Sequence, residues 1–90
     1  MALNFKMAIH RNSNNVHLKL FGDFDGASAC ELINALERNC KGGDQIFIHT
    51  ACLRNIAIFG ASLFQKNLGP IRRKHIKLVF TGDNAAKLTY

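Results

Sequence analysis

The sequence is short of the residues that usually announce a special chemistry or a special environment. Its three cysteines, Cys30, Cys40 and Cys52, are odd in number and widely spaced, which excludes a disulfide framework. Free thiols of this kind are commonly small buried apolar groups, and they fit a reducing, cytoplasmic setting. Proline occurs only at Pro70, and no Pro-rich or Gly/Ser-rich linker, repeat or low-complexity tract divides the chain. No apolar run is long enough to cross a bilayer. The nearest, residues 46–64, carries Arg54 and Asn55 at its centre, where an arginine costs roughly 2.5–3.5 kcal/mol on insertion scales. Met1 to His10 lacks the apolar core and cleavage site of a leader peptide.

Catalytic and cofactor signatures are equally scarce. Gly22-Asp23-Phe24-Asp25-Gly26 fits neither G-x-G-x-x-G nor G-x-x-x-x-G-K, so no phosphate-cradling loop is indicated. His10, His17, His49 and His75 fall in no H-x-x-x-H or C-x-x-C spacing, and a zinc centre needs three or four ligands meeting in space. No cysteine stands in a setting that marks it as an activated nucleophile. The expectation is a non-enzymatic protein with no metal and no cofactor.

What remains is the material of one small core. Ninety residues, 48% of them apolar, make a single domain over residues 1–90, and a domain of that size buries only about 60% of its unfolded surface. The charge is lopsided. Up to Gln45 five Lys/Arg balance five Asp/Glu; from Ile46 onward seven Lys/Arg face only Asp83, and this half supplies the whole +6. Such asymmetry suits an acidic partner surface or nucleic acid.

Leu3, Phe5, Met7 and Ile9 alternate with polar or small residues, the period of a half-buried strand. Asn12-Ser13-Asn14-Asn15 is turn chemistry, and Val16, Leu18 and Leu20 alternate again, predicting an antiparallel hairpin. The stretch Gly22 to Gly26 then breaks the strand. Ser28 and Glu31 have capping-box spacing, and Ala29, Ile33, Leu36 and Cys40 share one helical face, closed by Lys41-Gly42-Gly43. Ile46-Phe47-Ile48 predicts a buried parallel strand. Residues 51–55 are expected as a loop and residues 56–68 as a helix with Ile56, Phe59, Leu63 and Phe64 inward. Pro70 ends or kinks that helix; residues 76–80 form the last strand, and residues 83–88 a short helix. The order ββαβαβα implies an α/β domain with a mixed four-stranded sheet, built from an N-terminal hairpin and parallel crossovers, carrying two to three helices.

At these junctions the sequence resembles a STAS domain, the fold shared by anti-sigma factor antagonists and the cytoplasmic tails of sulphate transporters. Leu20-Phe21-Gly22-Asp23-Phe24-Asp25, then Ser28-Ala29 and Leu32, resembles the family's strand-G-E-L-D, T-A and Leu. Ile46 to Leu53 resembles its central buried strand, and Gly60 with Leu63-Phe64 its second helix. The likeness runs from about Val16 to Leu88. It departs at the switch. Members that are phosphorylated begin the second helix with an Asp-Ser-Ser-Gly-like run, whereas alignment through Gly60 puts Ala57, Ile58 and Phe59 there, none with a hydroxyl. The final helix is also shortened, at Tyr90.

The resemblance implies docking to another protein, such as a serine-kinase anti-sigma factor or a signalling assembly, with a homodimer also possible. The surface it implies comprises Asp23, Asp25, Arg54, Ala57, Ile58, Phe59 and Ser62, with Ile58 and Phe59 as the degenerate phosphosite. Alternatives stay open residue by residue. Phe59 packs inward and Ile58 is incidental, or one of them is exposed as an apolar anchor. Asp23 and Asp25 serve the turn and the helix start rather than acid–base chemistry. Thr50 and Ser62, the nearest hydroxyls to the lost site, satisfy local backbone or accept phosphate. Arg72, Arg73, Lys74 and Lys77, with His75, form a basic patch that is either a solvated helix end or a rim for an acidic partner. Nucleic acid is disfavoured, since no aromatic stacking set or recognition helix accompanies that patch. An accessory subunit of a lipid-transport ATPase and a basic nucleic-acid-binding protein are the competing functions.

Overall fold

A computed structural model describes residues 4–89. Strands β1 (Lys6–Asn12) and β2 (Asn15–Phe24) form the expected antiparallel hairpin. Ser13, at φ 60°, takes the left-handed position of its turn. Helix α1 (Gly26–Asn39) leads to β3 (Gln45–His49), and β4 (Leu53–Ile56) to α2 (Ile58–Lys66). A short α3 (Gly69–Arg72), β5 (Lys77–Thr81) and α4 (Ala85–Leu88) follow. The sheet runs β1-β2-β3-β5, with β2, β3 and β5 parallel.

A fifth strand is the main difference from the sequence expectation. β2 is ten residues long and is shared: Asn15 to Lys19 pair with β3, and Gly22 to Phe24 pair with β4 in the same parallel sense. The chain therefore leaves β3, turns at residues 50–52 and rejoins the same strand edge. Arg54-Asn55 disguised β4 as a loop because both side chains are exposed, while Leu53 is buried and Ile56 half-buried. For the same reason Gly22 to Gly26 does not end β2. The register shifts between Gly22 and Asp23, and the strand continues to Phe24. Gly22 sits at that shift with φ +88°, and a Cβ there would lie 2.0 Å from the carbonyl oxygen of Asn4, so only glycine fits.

The helices cover one face of the sheet. Val16, Leu18, Leu20 and Phe24 of β2 and Ile46 and Ile48 of β3 meet Leu32 and Leu36 of α1 and Phe64 of α2, all essentially sealed from solvent. Phe64 stands edge-on to Phe24 and Phe80, tying α2 to two strands. Burial of such side chains supplies about 1.5–3 kcal/mol each and drives the packing. β1 is an edge strand, more exposed than its alternation suggested; Ile9 is 46% exposed because the helical layer stops short of it. Leu3 and Tyr90, invoked for the first strand and the last helix, lie outside the described residues.

Two helix boundaries differ for local reasons. α1 begins earlier than Ser28. Asp25 is its N-cap: the carboxylate accepts from the Ser28 amide at 3.0 Å, and the Ser28 hydroxyl accepts from the Asp25 amide at 3.1 Å, so the capping box is Asp25–Ser28 rather than Ser28–Glu31. Helix α2 stops at Lys66, and Pro70 opens α3 in its first turn, where its missing amide costs nothing.

At the other end of the sheet Asp44 is buried and held by Arg11 at 2.8 Å and the Lys41 amide at 2.7 Å. Arg11 also donates to the Asn39 carbonyl. The Arg11 hydrogen bond, then the Lys41 amide, hold the Asp44 carboxyl below its usual range. A carboxyl depressed on folding contributes stability above the ordinary carboxylate range, near pH 4, and loses it as pH falls through the lowered value. Thermal melts should therefore show a midpoint falling below about pH 4; Asp44→Asn should flatten that slope, and an unchanged slope would contradict this role. The neighbouring Cys40 thiol is pushed up chiefly by burial, then by Asp44, which leaves it protonated and inert.

Candidate functional site

The C-terminal ends of β2 and β4 carry the start of α1 and the start of α2 side by side. What lets them meet is Gly60. A Cβ on that residue would fall 2.6 Å from the carbonyl carbon of Asp25 and 2.7 Å from its oxygen. The first turn of α2 thus rests directly on the backbone of the α1 cap. The Ala57 amide donates to the Phe24 carbonyl at 2.8 Å, joining α2's start to β2.

This crossing turns the two residues before Gly60 outward. Ile58 is 88% exposed and Phe59 69%. The placement of Phe59 on the inward face was wrong: the helix is short, its inward contacts are made by Gly60 and Phe64, and the Phe59 ring instead lies over Gly26, where an added Cβ would approach it to 2.9 Å. Ile58 borders an open groove of about 470 Å3 between α2 and α4, lined by Ile56, Ala61, Ser62, Gln65 and Lys87. Gln65 spans its floor, donating to the Lys87 carbonyl at 3.2 Å. Ala57 offers no capping oxygen and α2 has no acidic residue in its first turn, so the leading amides have no side-chain acceptor.

A polar rim completes the surface. Asp23 accepts from Arg54 Nη2 at 3.3 Å, Asn55 Nδ2 at 3.1 Å and Asn4 Nδ2 at 3.3 Å. The Arg54 bond leads, with Asn55 and Asn4 behind it, in holding the Asp23 carboxyl below its ordinary range. An exposed pair of this kind contributes little stability; it fixes where the charges stand. Asn4 and Asn55 have no local signal in the sequence, because Asn55 reaches Asp23 only where β4 lies beside β2, and Asn4 only where the β1–β2 hairpin brings it back to the end of β2. Asp25 is committed elsewhere. Its carboxyl is lowered first by the Ser28 amide, so it serves the helix cap, and Asp25→Ala should lower the thermal midpoint by a few degrees in a melting experiment; an unchanged midpoint would contradict the cap.

The remaining sequence candidates are dispersed. Thr50 is fully buried, its hydroxyl donating to the Thr81 carbonyl at 2.6 Å, so it is sealed against modification. Ser62 is half-buried on the groove wall. The basic patch is not one surface. Arg72 and Arg73 are exposed around the end of α3, whereas Lys74 donates to the Glu37 carbonyl at 3.0 Å, a favourable cation at the C-terminal end of α1. Lys77 opens β5 on the side of the sheet away from the helices. Among the described residues no helix is long and apolar enough to cross a membrane.

No protein-family model matches the sequence, and no curated protein matches it. Solved structures do. The chain is similar to an antisigma-factor antagonist STAS domain from Rhodobacter sphaeroides over the full length of both, with a TM-score of 0.69 at 13% identity. It is similar to the anti-sigma factor antagonist SpoIIAA in its unphosphorylated form over 84% of this chain and 70% of that one, with a TM-score of 0.57 at 14% identity. It also matches Mglu with a TM-score of 0.71 at 18% identity, over 81% of this chain but only 18% of the Mglu chain. The chain thus spans under a fifth of Mglu. The fold is the small α/β, SpoIIAA-like fold of STAS domains.

Proposed function

We propose that this chain, folded as a STAS domain, is a single non-enzymatic docking module of the anti-sigma factor antagonist kind, whose binding face is fixed rather than switched by phosphate. The observation that carries this reading is the exposure of Ile58 and Phe59 at an uncapped helix start, where the resemblance puts the phosphorylated hydroxyl. Phosphate there would add nearly two negative charges and recast the surface. Two exposed apolar side chains beside the Asp23–Arg54 pair instead suit a hydrophobic anchor with a charged rim, the usual anatomy of a docking surface. The resemblance suggests a serine-kinase anti-sigma factor as that partner.

Titration calorimetry against such a kinase tests the reading. Binding is expected with the same affinity before and after incubation with ATP, and no phosphate should be incorporated. Phosphate appearing on Ser62, with loss of binding, would restore a switch and overturn the fixed face.

A further inference from the structure

The face of the sheet turned away from the helices is bare, and its composition is one-sided. Strand register places Lys6, Ala8 and His10 of β1 beside Phe21, Lys19 and His17 of β2. His17 and Lys19 lie beside Phe47 and His49 of β3, which lie beside Val79 and Thr81 of β5; Gln45 neighbours Lys77. Among the described residues three lysines and three histidines stand on this face across β1, β2, β3 and β5, and its one carboxylate, Asp23 at the β4 end, is already held by Arg54, Asn55 and Asn4. Elsewhere acids and bases are mixed: Glu31 and Glu37 lie on α1, and Asp44 is paired with Arg11.

The centre of the face is ordered. The His17 ring stacks on Phe47 at 4.7 Å with an interplanar angle of 9°, and on His49 at 5.2 Å and 1°. His17 Nδ1 lies 2.9 Å from His49 Nε2, and His49 Nδ1 lies 2.7 Å from the Thr81 hydroxyl. Burial, with His17 and Lys19 close by, lowers the basicity of His49 and keeps it a neutral relay. In the tautomer in which the Thr81 hydroxyl donates to His49 Nδ1 and His49 Nε2–H donates to His17 Nδ1, the outer nitrogen of His17, Nε2, carries an N–H. No polar atom buried here lacks a partner, so that N–H reaches solvent. A hollow of about 390 Å3, lined by Ala8, Ile9, His10, His17, Lys19 and His49, lies over it.

We propose that this open sheet face is a second docking surface, for an acidic polypeptide segment rich in Asp and Glu laid across β1, β2 and β3. Charge complementarity selects the occupant. A second copy would bring lysine against lysine. Nucleic acid suits the sign but not the detail: the rings are stacked on one another and present edges, leaving no open platform for a base, and the one arginine at the rim of the face among the described residues, Arg54, is committed to Asp23 rather than free for phosphate. A row of lysines around one N–H donor fits carboxylates that need charge and a single directional contact.

Fluorescence anisotropy at low salt, about one Debye length of 10 Å or more, separates the outcomes. Labelled oligo-glutamate and a single-stranded oligo-uridylate of equal length are the probes. Wild-type protein should bind oligo-glutamate more tightly. The Lys19→Glu variant should lose about tenfold in affinity, in line with charge reversal at an electrostatic contact, and His17→Gln a smaller share. Arg72→Glu/Arg73→Glu, on the helical side, should change it by less than about twofold if the site is local. Equal losses from both reversals would reduce the binding to net charge and overturn the proposal, as would tighter binding of oligo-uridylate or no binding of oligo-glutamate. Ile58→Asp should leave this binding intact, so failure here and failure at α2 are read separately.

Discussion

Ile58→Asp is expected to weaken capture of a serine-kinase anti-sigma factor by at least about 30-fold, the size of a hot-spot loss near 2 kcal/mol. The argument rests on where the side chain stands. Ile58 is the most exposed large apolar residue among the described residues, at 88%, and it overhangs the groove between α2 and α4. An apolar anchor in that position is worth its burial when a partner covers it, and a carboxylate in its place must be desolvated without a counter-charge. The same exposure keeps the fold out of the experiment, because surface substitutions away from special features usually change stability by less than about 0.5 kcal/mol. Phe59 is a less clean probe, since its ring lies over Gly26 and its loss disturbs α1 as well. Calorimetric affinity beside an unchanged melting curve is the expected result. Unchanged affinity would remove α2's start from the binding surface.

Local signals in the sequence carried much of the architecture. The hairpin was legible because Val16, Leu18 and Leu20 alternate cleanly, and the parallel β3 because Ile46-Phe47-Ile48 is a short apolar run between turn residues. β4 was not, since a four-residue strand with two exposed polar residues has no period to detect and exists only because β2 is long enough to serve two partners. The proposed docking residues came from likeness, but their exposure was undecidable from the chain. Helical periodicity put Phe59 on the same side as Leu63 and Phe64; only the close crossing at Gly60 shows that the helix's first turn overhangs the core instead of facing it. The histidine stack is half encoded in the sequence. Period two puts His17 and His49 opposite the buried residues of their strands, yet which of them adjoin depends on register, which no single strand encodes.

Gly60→Ala should lower the melting midpoint by roughly 5–15 °C, and the reasoning joins fold to function at one carbon atom. In a helix interior alanine is ordinarily better than glycine by about 1 kcal/mol, so propensity alone predicts stabilisation. The new Cβ, however, falls 2.6 Å from the Asp25 carbonyl carbon and 2.7 Å from its oxygen. Carbon atoms prefer separations of about 3.5–4.0 Å, and these neighbours are backbone, with no rotamer to retreat into. The start of α2 must therefore lift off the cap of α1 by about 1 Å, straining the Ala57–Phe24 hydrogen bond and loosening the packing beneath it. Overpacking of this kind costs about 1–3 kcal/mol, and contacts this short against backbone put Gly60→Ala in the upper part of that range, above the propensity gain. The docking residues move with the helix, so affinity falls together with stability, whereas Ile58→Asp lowers affinity alone. A midpoint that rises on Gly60→Ala would mean that the two helix starts do not touch, and that Ile58 and Phe59 owe their exposure to something other than this crossing.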